Sequence, residues 1–120
     1  MRFTLREASN LAYALVSLVR FDEAKALLRR MMPVARRVLG DSHDLNLKMR
    51  WIYAEALCKD TSATLDDLRE AVTTLEDATR IARRLLGSAH PLSELIGTSL
   101  EKARAALRAC ETQPPGSVSS

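Results

Sequence analysis

Two histidines, His43 and His90, two cysteines, Cys58 and Cys110, and the adjoining acids Asp66–Asp67 and Glu76–Asp77 are the side chains with which this chain could move protons, hold a metal or attack a substrate. Their spacing speaks against all three. Metal binding by the two histidines would need ligands separated by a whole helical hairpin. The cysteines share no CxxC spacing and have no paired histidines nearby, which reads as free thiols in a reducing compartment. Neighbouring acids on a helix point in different directions and make a poor general acid–base pair. There is no Gly-rich phosphate loop, no HExxH, and no nucleophile with a plausible base. The chain is expected to be no enzyme, with no catalytic residue, no cofactor and no metal.

The histidines instead close a repeated phrase. Ala35-Arg-Arg-Val-Leu-Gly-Asp-Ser-His43 returns as Ala82-Arg-Arg-Leu-Leu-Gly-Ser-Ala-His90, shifted by 47 residues. Each copy reads as the last turn of a helix, a stop, and the start of another helix. The arginines sit where the macrodipole leaves partial negative charge. Gly40 and Gly87 can take the left-handed conformation that closes a helix, and Pro91 pre-sets the first turn of the next one. Helix–stop–helix at this period marks an α-solenoid. The histidines recur at a structural junction, which points to capping or packing.

Apolar spacing places five helices, over about 3–19, 21–39, 43–59, 64–86 and 91–110. The inward positions are Ala8, Leu11, Ala12, Leu15, Leu18 and Val19 in the first helix. Ala24, Leu27, Leu28, Met31, Ala35, Val38 and Leu39 serve the second, which Pro33 should bend without breaking. Ser42 is the expected N-cap of the third, with Leu45, Met49, Ile52, Tyr53, Ala56 and Leu57 buried. Thr64-Leu65-Asp66-Asp67 resembles a capping box ahead of the fourth, whose stripe runs from Leu68 to Leu85. The fifth uses Leu92, Leu95, Ile96, Leu100, Ala103 and Leu107. Residues 111–120 lack the apolar content to fold and are expected to be a disordered tail.

The 120 residues are 47% hydrophobic, 28% charged and 4% aromatic. They suit one helical domain, since the apolar residues are mostly Leu and Ala. No apolar run approaches the roughly 18 residues that span a membrane. Arg2, Arg6 and Glu7 make a poor signal peptide, so a cytoplasmic location is expected. A net charge of +3 is mildly basic. The pairs Arg29–Arg30, Arg36–Arg37 and Arg83–Arg84 are placed near helix C-termini, where dipole complementation and solvation account for them.

Two half-copies align: Leu11 with Tyr53, Ala12 with Ala54 and Leu15 with Leu57, then Ala24 with Ala71, Leu28 with Leu75 and Gly40 with Gly87. Small residues at Ala12 and Ala24, and at Ala54 and Ala71, let paired helices approach closely. The second unit carries about five extra residues between its helices. With Asn10-Leu11-Ala12, Arg20-Phe21-Asp22-Glu23-Ala24, Leu68-Arg69-Glu70-Ala71 and the two Gly-x-x-His junctions, the chain resembles the tetratricopeptide repeat in the longer form found in kinesin light chains. The resemblance covers about Asn10 to Leu107. Ile52 stands where that family's asparagine would be, and Pro33 is atypical.

The resemblance implies an all-α fold: a right-handed α-solenoid of antiparallel hairpins, about two and a half repeats, with the fifth helix as an end cap. It also implies a non-enzymatic protein–protein interaction scaffold that takes a peptide or partner helix in a concave groove. The family's groove positions fall on Arg6, Asn10, Tyr13 and Ser17, and on Lys48, Trp51, Glu55 and Lys59. Asn10 would bond a peptide backbone, Tyr13 and Trp51 would anchor apolar side chains, and Arg6, Lys48 and Lys59 would favour an acidic ligand. Two other readings stand beside this one. The arginine pairs permit a basic repeat that binds nucleic acid, although such binders usually show a clustered basic stripe. The uncapped first helix also fits a structural fragment that self-associates as a homo-oligomer or pairs with additional repeats.

Overall fold

The computed structural model describes residues 4–112. Five helices follow in order: α1 (Leu5–Ser17), α2 (Phe21–Leu39), α3 (Asp44–Lys59), α4 (Leu65–Leu86) and α5 (Pro91–Thr112). The expected tail begins inside α5, since Glu111 and Thr112 are helical; residues 113–120 lie outside the described residues. Each helix packs on the next, and α1, α3 and α5 also touch in turn, whereas α2 and α4 do not. The result is two layers with a least extent of 21 Å, about two helix diameters. Contact within one layer and separation within the other bend the stack toward α1, α3 and α5. Ala12, Ala24, Ala54 and Ala71 are all fully buried in the common core, where the absence of larger side chains lets each hairpin close.

The termini are set by local chemistry. Thr4 Oγ1 accepts from the Glu7 N–H at 3.0 Å while the Thr4 N–H donates to Glu7 Oε1 at 2.9 Å. This capping box starts α1 at Leu5 and holds the Glu7 carboxyl below its usual range, chiefly through the Thr4 amide. The capping box expected at Thr64 forms with Asp67, at 3.1 and 3.0 Å. The cap of α3 is His43 rather than Ser42: its Nδ1 accepts from the Leu45 N–H at 3.1 Å, and His90 Nδ1 does the same for Leu92 at 3.1 Å. Gly40 and Gly87 each have φ +88, but ψ values of 162 and 154 make this the extended mirror region rather than the left-handed helical one.

Helix α1 stops at Ser17 because the chain turns through a Schellman motif, with Arg20 N–H on Leu15 O at 2.8 Å and Val19 N–H on Val16 O at 3.0 Å. The position that glycine favours is held by Val19, at φ +61 and exposed. Left-handed geometry costs a side-chain-bearing residue about 1–2 kcal/mol. Glycine gives part of that back through the freedom it adds to the unfolded chain, so Val19→Gly should raise stability by about 0.5–1 kcal/mol. A lower urea midpoint for the variant would contradict the strain.

Pro33 lies within an unbroken α2. The lengthened α3–α4 turn is tied back to α2: Lys25, nearly buried, reaches Asp60 at 3.3 Å, and Asp60 Oδ1 accepts from the amide and hydroxyl of Ser62 at 3.0 and 2.8 Å. Those Ser62 bonds, with Lys25 behind them, hold the Asp60 carboxyl below its ordinary value. Helix α3 touches every other helix and is buried on most of its circumference. Leu47 is therefore fully buried alongside the expected Met49, Ile52, Ala56 and Leu57, while Leu45 is only half-buried. Other stripe positions fail in the opposite sense: Leu11, Leu18, Val19, Val38, Leu85 and Leu95 are exposed, because no further helix covers them.

Candidate functional site

On α1, Arg6, Asn10, Tyr13 and Ser17 recur at helical spacing on one face; on α3, Lys48, Trp51, Glu55 and Lys59 do likewise. The structure gathers all eight on the face formed by α1, α3 and α5, in two hollows. Tyr13, Ser17, Trp51, Glu55 and Lys59 line one of about 240 Å³, floored by Ile52 and closed by Leu95 of α5. Arg6, Asn10, Asp44 and Lys48 line the other, about 150 Å³, together with Leu45 and Leu92.

Trp51 is the centre of the larger hollow. Tyr13 stacks on it, ring centroids 6.0 Å apart and planes 27° off parallel. Its Nε1 donates to Ser99 Oγ at 2.8 Å, and Ser99 donates onward to Glu55 Oε2 at 3.1 Å. Lys59 pairs with Glu55 Oε1 at 3.2 Å. The indole is thus held from below by a satisfied polar chain, and the half-exposed Tyr13 ring faces solvent. Glu55 and Lys59 largely neutralise each other; Arg6 and Lys48, which have no ion-pair partner among the described residues, outnumber the one carboxylate of their hollow, Asp44, and leave the face with a residual positive charge. Ser17 turns its hydroxyl back to Tyr13 O at 3.1 Å, which leaves it a weaker contributor than its position suggested.

Helix α5 supplies two lining residues outside the expected groove positions, Leu92 and Leu95, and the buried Ser99 that holds Trp51. Leu92 and Leu95 belong to the expected buried stripe, yet Leu95 is 47% exposed over the hollow. A signal existed, since the repeat shift of 47 carries Leu45 to Leu92 and Lys48 to Leu95.

The remaining reactive types are occupied elsewhere. Both histidines cap helices through Nδ1. Asp67 caps α4, Glu76 pairs with Arg104 at 3.0 Å, and Asp77 with Arg80 at 2.8 Å. Arg36–Arg37 and Arg83–Arg84 do sit in last turns, but Arg29–Arg30 lie in the middle of α2. Among the described residues no three metal-ligating side chains gather, and no helix is long and apolar enough to cross a membrane. Burial, helped by Glu55, pushes the Cys58 thiol up to about 11, whereas Cys110 is exposed. The thiolate is the nucleophile. Iodoacetamide at neutral pH should therefore label Cys110 in the native protein and spare Cys58 until denaturant is added; equal labelling by mass spectrometry would contradict that burial.

A family model described as Tetratricopeptide repeat matches residues 4–44 and 60–92. The first match spans α1, α2 and the junction to His43. The second begins in the lengthened turn and runs through α4 to the start of α5, passing over most of α3. Searches of curated proteins and of solved structures each return no match. Tetratricopeptide repeats mediate protein–protein interaction and carry no chemistry of their own. Matched over more than half its length, and built from two stacked helical hairpins closed by a fifth helix, the chain belongs to the tetratricopeptide-repeat family.

Proposed function

We propose that this protein binds an acidic peptide or partner helix along the α1–α3–α5 face. The observation that carries the reading is the Tyr13–Trp51 stack, fixed through Ser99 and flanked by Arg6 and Lys48, two cations against the single Asp44 and neither ion-paired among the described residues. Aromatic rings held rigidly at low entropic cost are the side chains on which interface energy concentrates. Cations without internal partners raise the encounter rate with an acidic segment and discriminate against a basic one. Asn10, exposed and without a side-chain hydrogen bond among the described residues, is free to bond an extended backbone.

Selection of short random peptides against the full chain tests this. Enriched sequences should carry Asp or Glu beside an apolar residue. The double reversal Arg6→Glu with Lys48→Glu should weaken them by about tenfold or more and flatten their salt dependence. Affinity unchanged in the double variant would remove the site from this face. Duplex DNA or RNA bound with a steep logarithmic dependence on salt would favour the nucleic-acid reading instead. Sedimentation across a dilution series reads self-association directly.

A further inference from the structure

We propose a second binding site on the opposite layer: the cleft between α2 and α4, floored by α3, takes a small organic acid, its anionic head on Arg50 and its apolar body against Met32 and Pro33. Because α2 and α4 do not touch, the space between them stays open at about 410 Å³. That is within the range of small-ligand sites, which pair apolar walls with a few convergent polar groups.

Arg50 carries the argument. Its side chain is only 7% exposed, and its sole partner among the described residues is Asp41, at 3.1 Å from Nη2. Asp41 is itself 56% exposed and shared with Arg36 at 2.8 Å. A guanidinium has five N–H donors, and a buried cation is costly unless its donors are filled. Arg50 fills one among the described residues, and the side chain lines the cleft, where a ligand can reach the others. The scaffold does not demand this residue: its repeat counterparts are Ala8 and Gly97. Those of Tyr53, another polar floor residue beside Asn46, are Leu11 and Leu100.

The surrounding groups set the ligand's shape and charge. Arg29 lies over the Tyr53 ring, 5.7 Å from its centroid, with Nε on the phenol oxygen at 3.1 Å. The phenol donates to Glu70 at 2.6 Å. The α4 wall is therefore negative and the α2 wall, with Arg29, Arg36 and Arg37, positive, so an anionic head is drawn to Arg50 and Arg37, away from Glu70. Met32 and the Pro33 ring offer apolar surface beside that charge, which a bare inorganic anion would leave unused. The shared chemistry is one carboxylate or phosphate on an apolar body.

Titration of the full chain, followed by amide NMR, with hexanoate, phenyl phosphate, inorganic phosphate and hexanol tests the site. One or both organic anions should give saturable shifts at Met32, Arg50 and Tyr53 and leave Trp51 fluorescence unchanged. Inorganic phosphate and hexanol should bind at least about tenfold more weakly, since each lacks half of the recognition. The tighter of the two organic anions identifies the head group. Arg50→Met should abolish the shifts; should it fail to fold, the exposed Arg37→Ala should still weaken binding several-fold. Absence of saturable shifts at the cleft, equal binding of inorganic phosphate, or shifts that survive in the folded variants would overturn the proposal.

Discussion

Truncation of Leu57 to alanine is expected to lower the free energy of unfolding by about 2–5 kcal/mol, a large part of the roughly 5–15 that a domain holds in total. Leu57 is fully buried on α3, the helix that packs on all the others. A cavity there opens within the one core cluster to which all five helices contribute. Val38→Ala, at a side chain 64% exposed near the end of α2, is the matched control and should stay within about 0.5 kcal/mol. Urea denaturation followed by far-UV circular dichroism reads both. A Leu57 midpoint no lower than that of the control would mean that α3 is not the centre of the core.

Trp51→Ala is the second large effect, on binding rather than folding. Removing the indole strips the ring on which Tyr13 stacks and leaves Ser99 with Glu55 alone. Loss of a central aromatic anchor costs about 2 kcal/mol or more, which is near a thirtyfold rise in Kd for the selected peptides. Trp51→Phe keeps a ring against Tyr13 but drops the donor to Ser99, and should fall between. Trp51 is only half-buried, so the melting curve should move far less than for Leu57→Ala. Calorimetry is the suitable measure, because the variant has no tryptophan left. Full affinity in Trp51→Ala would dismiss the aromatic anchor even if the charge reversals had weakened binding.

The helices were legible because their signals are local. Thr64 and Asp67 cap within one turn, and the apolar residues of α2 and α4 repeat on one face because those helices border solvent on the other. Helix α3 has partners on most sides, so its single-stripe reading missed Leu47 and overstated Leu45. Val38, Leu85 and Leu95 carried the opposite error, since periodicity marks a face without saying how far along it the neighbouring helix extends.

By itself, then, the sequence determined five helices, their punctuation at His43 and His90, and the pairing of hairpins through Ala12, Ala24, Ala54 and Ala71. Spacing along one helix is enough to place side chains on a common face, but the choice of the eight groove positions on α1 and α3 follows from the resemblance to the tetratricopeptide repeat. Tertiary structure alone decided that Ser99 of α5 would hold Trp51, that Lys25 would fasten the long turn through Asp60, and that Arg29, Tyr53 and Glu70 would meet across three helices. Those contacts join residues 17 to 48 positions apart. They depend on how the helices cross, which is set by packing and which no local pattern encodes.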